Sequence, residues 1–228
     1  MSSLAEAAVP LWLSIKVAIA ATAVVGVPGT LVGLILSRKR FPGKAIVETL
    51  VELPLVLPPT AVGFALLLLL GRKGPLGEEV LGFDLDVLFT LKAAVIAAAV
   101  MAFPLVARSA RIAFDGVDPR LESMAASLGM SRWRVKWSVT LPIAWRGLMA
   151  AGLLGFSRAL GEFGATALVA GNFEGRTRTL AVSMFYDIQM GRNDRAMVLL
   201  MCAVVLAFAA VATVGWLHRR DEVLKGEA

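Results

Sequence analysis

One cysteine, one histidine and one tyrosine occur in 228 residues. With Cys202 alone no intrachain disulfide can form, and its place inside an apolar run gives it a packing role. With His218 as the single histidine there is no His or Cys cluster of metal-ligand spacing, which excludes a zinc or copper site of the usual kind. No segment reads GxxxxGK[ST], so the chain does not hydrolyse ATP through a phosphate-cradling loop of that type. Nor is there a nucleophile with a positioned base, as a membrane-embedded hydrolase would need. Internal repeats are absent too, so the inverted-repeat plan of many ion-coupled secondary transporters lacks support. Charge is scarce at 18%, and it is unevenly spread.

What is abundant is apolar surface. Hydrophobic residues make up 58% of the chain and the mean hydropathy is +0.77, more than a soluble core of this size needs. The charges crowd between apolar stretches long enough to cross roughly 30 Å of hydrocarbon at about 1.5 Å per residue. A net charge of +6 and a pI near 10 would fit a nucleic-acid binder only if the cations formed a face on a soluble domain. Here they sit in short loops, the pattern of a membrane protein holding Lys and Arg on its cytoplasmic side.

The chain is therefore expected to be an all-α integral membrane protein with about five spans, forming one transmembrane domain over residues 1–228. The spans are read at 9–36, 45–70, 87–106, 141–170 and 196–217. The first lacks a basic segment before it and is about twice the length of a signal-peptide core, so it is expected to stay in the mature protein. Arg38, Lys39, Arg40 and Lys44 follow without an acid among them, which marks a cytoplasmic loop. The connection holding Arg72, Lys73, Glu78, Glu79, Asp84 and Asp86 is net negative and reads as external. Arg108 and Arg111 close the third span on the cytoplasmic side, and His218, Arg219 and Arg220 close the last. This parity gives an external N-terminus and a cytoplasmic C-terminus. Five helices also look too few to enclose a solute path alone, so a homodimer is expected.

The long internal segment at 118–140 carries the most specific pattern. Asp118-Pro119 reads as a helix start, since Asp accepts from free backbone N–H groups and Pro loses nothing at the first helical position. Leu121, Met124, Ala125 and Leu128 follow at i, i+3, i+4 and i+7, and Gly129 is placed to end the helix in a left-handed conformation. Ser131 can cap a second short helix bearing Trp133 and Trp137 one turn apart. Two readings stand: interfacial anchoring, for which Trp and Lys are ordinary residues, or a docking element for another protein.

Ser123-Met124-Ala125, three residues, Gly129, nine residues and Val139-Thr140-Leu141-Pro142 resemble the cytoplasmic loop of ABC importer permeases, written Glu-Ala-Ala, three residues, Gly, nine residues, Ile-x-Leu-Pro. Ser123 departs from Glu, Met124 from Ala and Val139 from Ile, with Glu122 one place early. The resemblance implies a type I ABC importer permease fold, in which Arg120 to Lys136 form coupling helices resting on a dimer of separate ATPase subunits that bind the ATP. Glu122, Ser123, Met124, Ala125, Leu128, Gly129, Trp133, Leu141 and Pro142 are then the candidate coupling residues. No cofactor of the chain's own is implied.

Phe41-Pro42-Gly43-Lys44, the run from Glu52 to Gly63, and Gly161-Glu162-Phe163-Gly164-Ala165 resemble the molybdate permeases and their tungstate and sulfate relatives. Molybdate import across the inner membrane by alternating access is the implied function, with tungstate or sulfate as near alternatives. Residue chemistry adds its own argument. Pro54, Pro58 and Pro59 remove donors inside a span, so that stretch should kink and face protein or a water-filled path, unless the kink serves packing alone. Thr60 and Phe163 join them as pathway candidates.

Arg158 and Glu162 stand one turn apart in the fourth span, either as a neutralising structural pair near the dimer axis or as gating groups. Gly155, Gly161 and Gly164 around them permit close helix approach. Glu162 is the one acid well inside a span, too few for an ion-coupled carrier. On the external side the resemblance implies docking of an extracytoplasmic oxyanion-binding protein, with Arg176, Arg178, Arg192 and Arg195 as candidates against Glu174, Asp187 and Asp194. The alternative there is a solvated loop.

Overall fold

A computed structural model describes residues 2–226, with side chains described for 6–213 and 215. The side chains of His218, Arg219 and Arg220 lie outside the described residues. The long helices are α1 (Ser2–Arg38), α5 (Leu91–Asp115), α8 (Leu141–Leu160) and α11 (Asn193–Gly226). Shorter ones are α2 (Lys44–Val56), α3 (Pro59–Leu70), α4 (Glu78–Leu81), α6 (Pro119–Ser127), α7 (Arg132–Val135), α9 (Gly164–Val169) and α10 (Leu180–Gln189). Four helical stretches are long and apolar enough to cross a membrane, and α2 with α3 makes a fifth, bent by 110°. The fold is an all-α membrane bundle.

α5 is its axis. The apolar residues of its buried face are mostly alanine, among them Ala93, Ala94, Ala97, Ala98, Ala102 and Ala110. Small side chains let neighbouring backbones come close, and in lipid such packing replaces the hydrophobic drive that water supplies elsewhere. α1 approaches through Gly29 and Gly33. A Cβ on Gly33 would lie 2.8 Å from Ala107 O and from Arg111 N, and one on Gly29 would lie 2.9 Å from Val106 Cγ1. α8 packs on the other side, where a Cβ on Gly147 would lie 2.5 Å from Ala113 Cβ and one on Gly155 would run into Val106. The Gly29-x-x-x-Gly33 spacing is the small-residue pattern that permits such close approach.

Three stretches differ from the spans read in the sequence. The stretch over 45–70 is two helices, because Leu57 is extended (φ −69°, ψ 143°) and Pro58 follows it with no N–H to continue the ladder. The stretch over 141–170 is helical to Leu160, breaks at Gly161 to Phe163, and resumes as α9. The segment over 171–195, read as external chain, contains α10, whose Leu180, Val182, Ser183 and Asp187 are buried. Its opening N–H, from Leu180, donates to the buried Ser14 Oγ of α1 at 2.7 Å, so α1 supplies the cap that α10 lacks. α5 also runs on to Asp115, which puts Arg108 and Arg111 inside a helix.

Replacing Gly33 by Ala is expected to cost about 1–3 kcal/mol, because backbone atoms of α5 cannot step aside. Gly26→Ala meets nothing within 4 Å and is expected to be neutral or slightly stabilising. Thermal unfolding of the two variants in detergent checks this; equal midpoints would contradict the close approach.

Candidate functional site

The two interrupted helices meet. A Cβ on Gly63 of α3 would lie 2.8 Å from Ala165 Cα, and one on Gly164 of α9 would lie 2.9 Å from Pro59 Cβ and 3.3 Å from Thr60 N. The bend after Leu57 and the break after Gly161 are thus neighbours, which brings Pro58, Pro59 and Thr60 together with Glu162, Phe163 and Gly164. Pro59 and Thr60 are exposed on the protomer, and α2 has no buried residue at all. The Phe163 ring also packs on Phe185 of α10, with centroids 4.9 Å apart. Pro54 stands inside α2, four residues before the bend.

Glu162 explains why the break is tolerated. Its side chain is 1% exposed, and Oε2 accepts from Arg158 Nη1 at 2.8 Å. Oε1 accepts from Ala165 N at 2.9 Å, so the same carboxylate caps α9 and sits where that helix's first turn is electropositive. The pair is therefore positional first: it neutralises two charges and satisfies a donor freed by the break. Glu162 is the buried member and Arg158 is about a quarter exposed, so removing Arg158 would leave a buried carboxylate uncompensated, whereas removing Glu162 also strips the cap from α9.

At the far end of the bundle, α6 and α7 form a hairpin. Asp118 Oδ1 accepts from Arg120 N at 2.8 Å and Pro119 takes the first helical position. Gly129 stands at φ +85°, with its N–H donating to Ala126 O (3.0 Å) and the Met130 N–H donating to Ala125 O (3.2 Å). That double bond pattern satisfies the last carbonyls of α6, and it needs a left-handed residue. Ser131 Oγ caps α7, accepting from Arg134 N at 3.4 Å. A π-helical turn at Lys136–Thr140 then joins α8, where Pro142 removes the N–H that an α-helix would give to Ser138.

Of the apolar stripe on α6, Ala125 is buried while Leu121, Met124 and Leu128 are exposed, Leu128 at 84%. Trp133 is also exposed, and Ser123 Oγ turns back to Pro119 O at 3.0 Å. The hairpin therefore offers an apolar outer face that its own chain leaves open.

Glu122 points the other way. Its Oε1 accepts from Thr140 Oγ1 at 2.7 Å and from Arg38 Nη2 at 3.1 Å, and Arg38 Nη2 also donates to Val117 O at 3.0 Å. One carboxylate thus ties the hairpin to the end of α1 and to the turn that starts α8. Beside it, Arg111 Nη1 reaches Glu48 Oε1 at 2.7 Å and Ser37 Oγ donates to Asp115 Oδ1 at 2.6 Å, which links α1, α2 and α5 at the same end. Glu122, a candidate coupling residue one place early in the loop pattern, thus faces its own chain. Arg38 and Thr140 as its partners carried no sequence signal, being 84 and 18 residues away.

The four arginines of the opposite end divide. Arg195 is 12% exposed and meets Glu6 (3.2 Å), Glu174 (3.4 Å) and the buried Asp187 (3.2 Å), clasping α1, α10 and α11. Arg178 is also mostly covered, 3.5 Å from Glu174 and donating to Asn172 Oδ1 at 2.5 Å. Arg176 and Arg192 are the exposed members.

Residues 29–220 match the family model described as binding-protein-dependent transport system inner membrane component. The chain is 43% identical to the molybdenum transport system permease protein ModB of Escherichia coli K12, over 81% of this chain and 82% of that one. It is 35% identical to the sulfate transport system permease protein CysW of Synechocystis sp. PCC 6803, over 84% of this chain and 70% of that one. Among solved structures, an amino acid ABC transporter crystallised with histidines superposes with a TM-score of 0.65 at 20% identity, covering 95% of this chain and 94% of that one, a likeness of fold.

Glu162→Ala is expected to lose both the pair and the cap, and with them most of the folded protein. Glu162→Gln keeps an acceptor for Ala165 and should retain part of it. Size-exclusion recovery of each variant reads the difference; equal recovery of Glu162→Ala and wild type would contradict the capping role.

Proposed function

The chain belongs to the family of binding-protein-dependent transport system inner membrane components, and we propose that its cargo is molybdate, carried inward by alternating access through a homodimer. It is the permease component of an ABC importer, a multi-pass inner-membrane protein working with a binding protein and an ATPase that are separate from it. The substrate reading rests on the likeness to ModB; tungstate and sulfate are tetrahedral oxyanions of the same charge, and the likeness to CysW keeps sulfate as the second reading.

The observation that carries the mechanism is the hairpin of α6 and α7, open and apolar on its outer face and tied on its inner face by Glu122 to α1 and α8. In our reading the outer face seats on the ATPase dimer, and closure of that dimer pulls on Arg38 and Thr140 together. The hairpin end is then cytoplasmic, which makes the N-terminus external and the C-terminus internal. Movement reaches the contact between Pro59-Thr60 and Gly164, where the two broken helices are the parts of the bundle least held by continuous backbone bonds. The open α2 face, with Ile46, Leu50 and Val56 exposed, meets a second copy. On the external side the exposed Arg176 and Arg192, the latter 4.0 Å from Asp187 Oδ1, orient the binding protein, while Arg178 and Arg195 hold the fold beneath them.

Proteoliposomes carrying this chain, its ATPase and its binding protein are expected to take up labelled molybdate only with ATP, unaffected by an ionophore and by excess sulfate. Suppression by sulfate would move the cargo to sulfate, and uptake without ATP would overturn the mechanism. In the same assay Gly129→Asp, strained at φ +85°, is expected to insert normally and to show no uptake.

A further inference from the structure

A groove runs along the hairpin end of the bundle between α1 and the start of α8. Val27, Leu31 and Leu34 form one wall, and Trp145, Leu148 and Met149 the other. Its lining on α1 extends from Gly26 to Lys39, roughly 20 Å at about 1.5 Å per residue, the length of an extended acyl chain. Almost all of this lining is apolar. The exception is one end, where Arg38, Lys39 and Lys136 gather beside Trp133 and Trp137.

The cations at that end are not consumed by the fold. Arg38 spends one nitrogen on Glu122 and Val117, and its Nε is buried without a partner. Lys39 and Lys136 are exposed and have no acidic partner among the described residues; the Lys136 ammonium lies over the Trp133 ring at 5.3 Å, inside the reach of about 6 Å for such a contact. No acid lines the groove. Tryptophan and lysine at the end of a span mark the depth of lipid headgroups.

We propose that this groove is a binding site for one anionic phospholipid, its phosphate held by Lys39 and Lys136 and one acyl chain laid between α1 and α8. Charge complementarity points to this occupant: three cations gather at one end of a lining that holds no acid, which suits a phosphate at headgroup depth with an acyl chain laid behind it. A zwitterionic lipid would fill the apolar length and leave the lysines facing a compensated headgroup. The proposal stands apart from the cargo and the direction of transport.

The test is native mass spectrometry of the full chain in detergent with equimolar palmitoyl-oleoyl phosphatidylglycerol and phosphatidylcholine. One phosphatidylglycerol is expected to remain bound in preference, by roughly fivefold for each lysine. Lys39→Gln with Lys136→Gln is expected to abolish the preference, and Lys92→Gln, at the opposite end of α5, to leave it intact. Leu31→Trp fills the groove with the charges in place and is expected to release the lipid. Equal retention of the two lipids, or a preference that survives the double substitution, would overturn the proposal. So would a preference untouched by Leu31→Trp, which would assign it to diffuse surface charge, or a lipid-free dimer broken by Leu31→Trp, which would assign the groove to a second copy.

Discussion

Hydrocarbon offers a backbone N–H or C=O no partner, and each one left unpaired costs several kcal/mol. Everything in this bundle follows from how that constraint is met. Unbroken helices meet it internally, and among the described residues four helical stretches are long and apolar enough to cross the apolar depth. The two interruptions need help from elsewhere. Pro58 and Pro59 have no N–H to satisfy at the bend between α2 and α3, and Glu162 accepts from Ala165 where α8 gives way to α9. The interruptions also sit against each other, Gly164 on Pro59 and Gly63 on Ala165. Irregular backbone is thereby concentrated at one contact, where Glu162, Gly164 and Ala165 are buried and Pro58, Pro59 and Thr60 stay exposed on the protomer.

Function follows from the contrast between that contact and the rigid parts around it. α5, α1 and α8 are locked through glycine and alanine, and Ser14 and Arg195 clasp α1, α10 and α11 at one end. At the other end Glu122 joins the hairpin to two long helices through a single carboxylate. Ion pairs open to solvent contribute little stability, so this one, about a quarter exposed on each side, is a connection between elements more than a source of stability. In the proposed mechanism a push on α6 reaches α1 and α8 through this carboxylate.

Much of this was legible in the sequence, for definite reasons. Hydropathy marks spans because lipid demands it, and the hairpin announced itself through Asp118-Pro119, Gly129 and Ser131, whose local chemistry acts within a few residues. Those three positions are a helix cap, a left-handed turn and a second cap in the fold. The break at Gly161 was hidden because apolar composition continues across it to Ala170, and hydropathy does not register a lost hydrogen bond. α10 was hidden because its buried side is polar in part, with Ser183 and Asp187 among the buried residues, so its pattern reads as a charged loop. The roles of Glu122 and Arg195 depend on partners far along the chain, which no local pattern reports.

In the proposed cycle two copies of this chain move at the contact of their broken helices when the ATPase closes. Thr60 lies on that contact and is exposed on the protomer. A spin label on Thr60→Cys in the assembled importer, read by pulsed electron resonance, measures the distance between the two copies directly. One defined distance is expected, and it should shift when a non-hydrolysable ATP analogue is added. No intermolecular distance, or the same distance in both states while the complex still hydrolyses ATP, would contradict it.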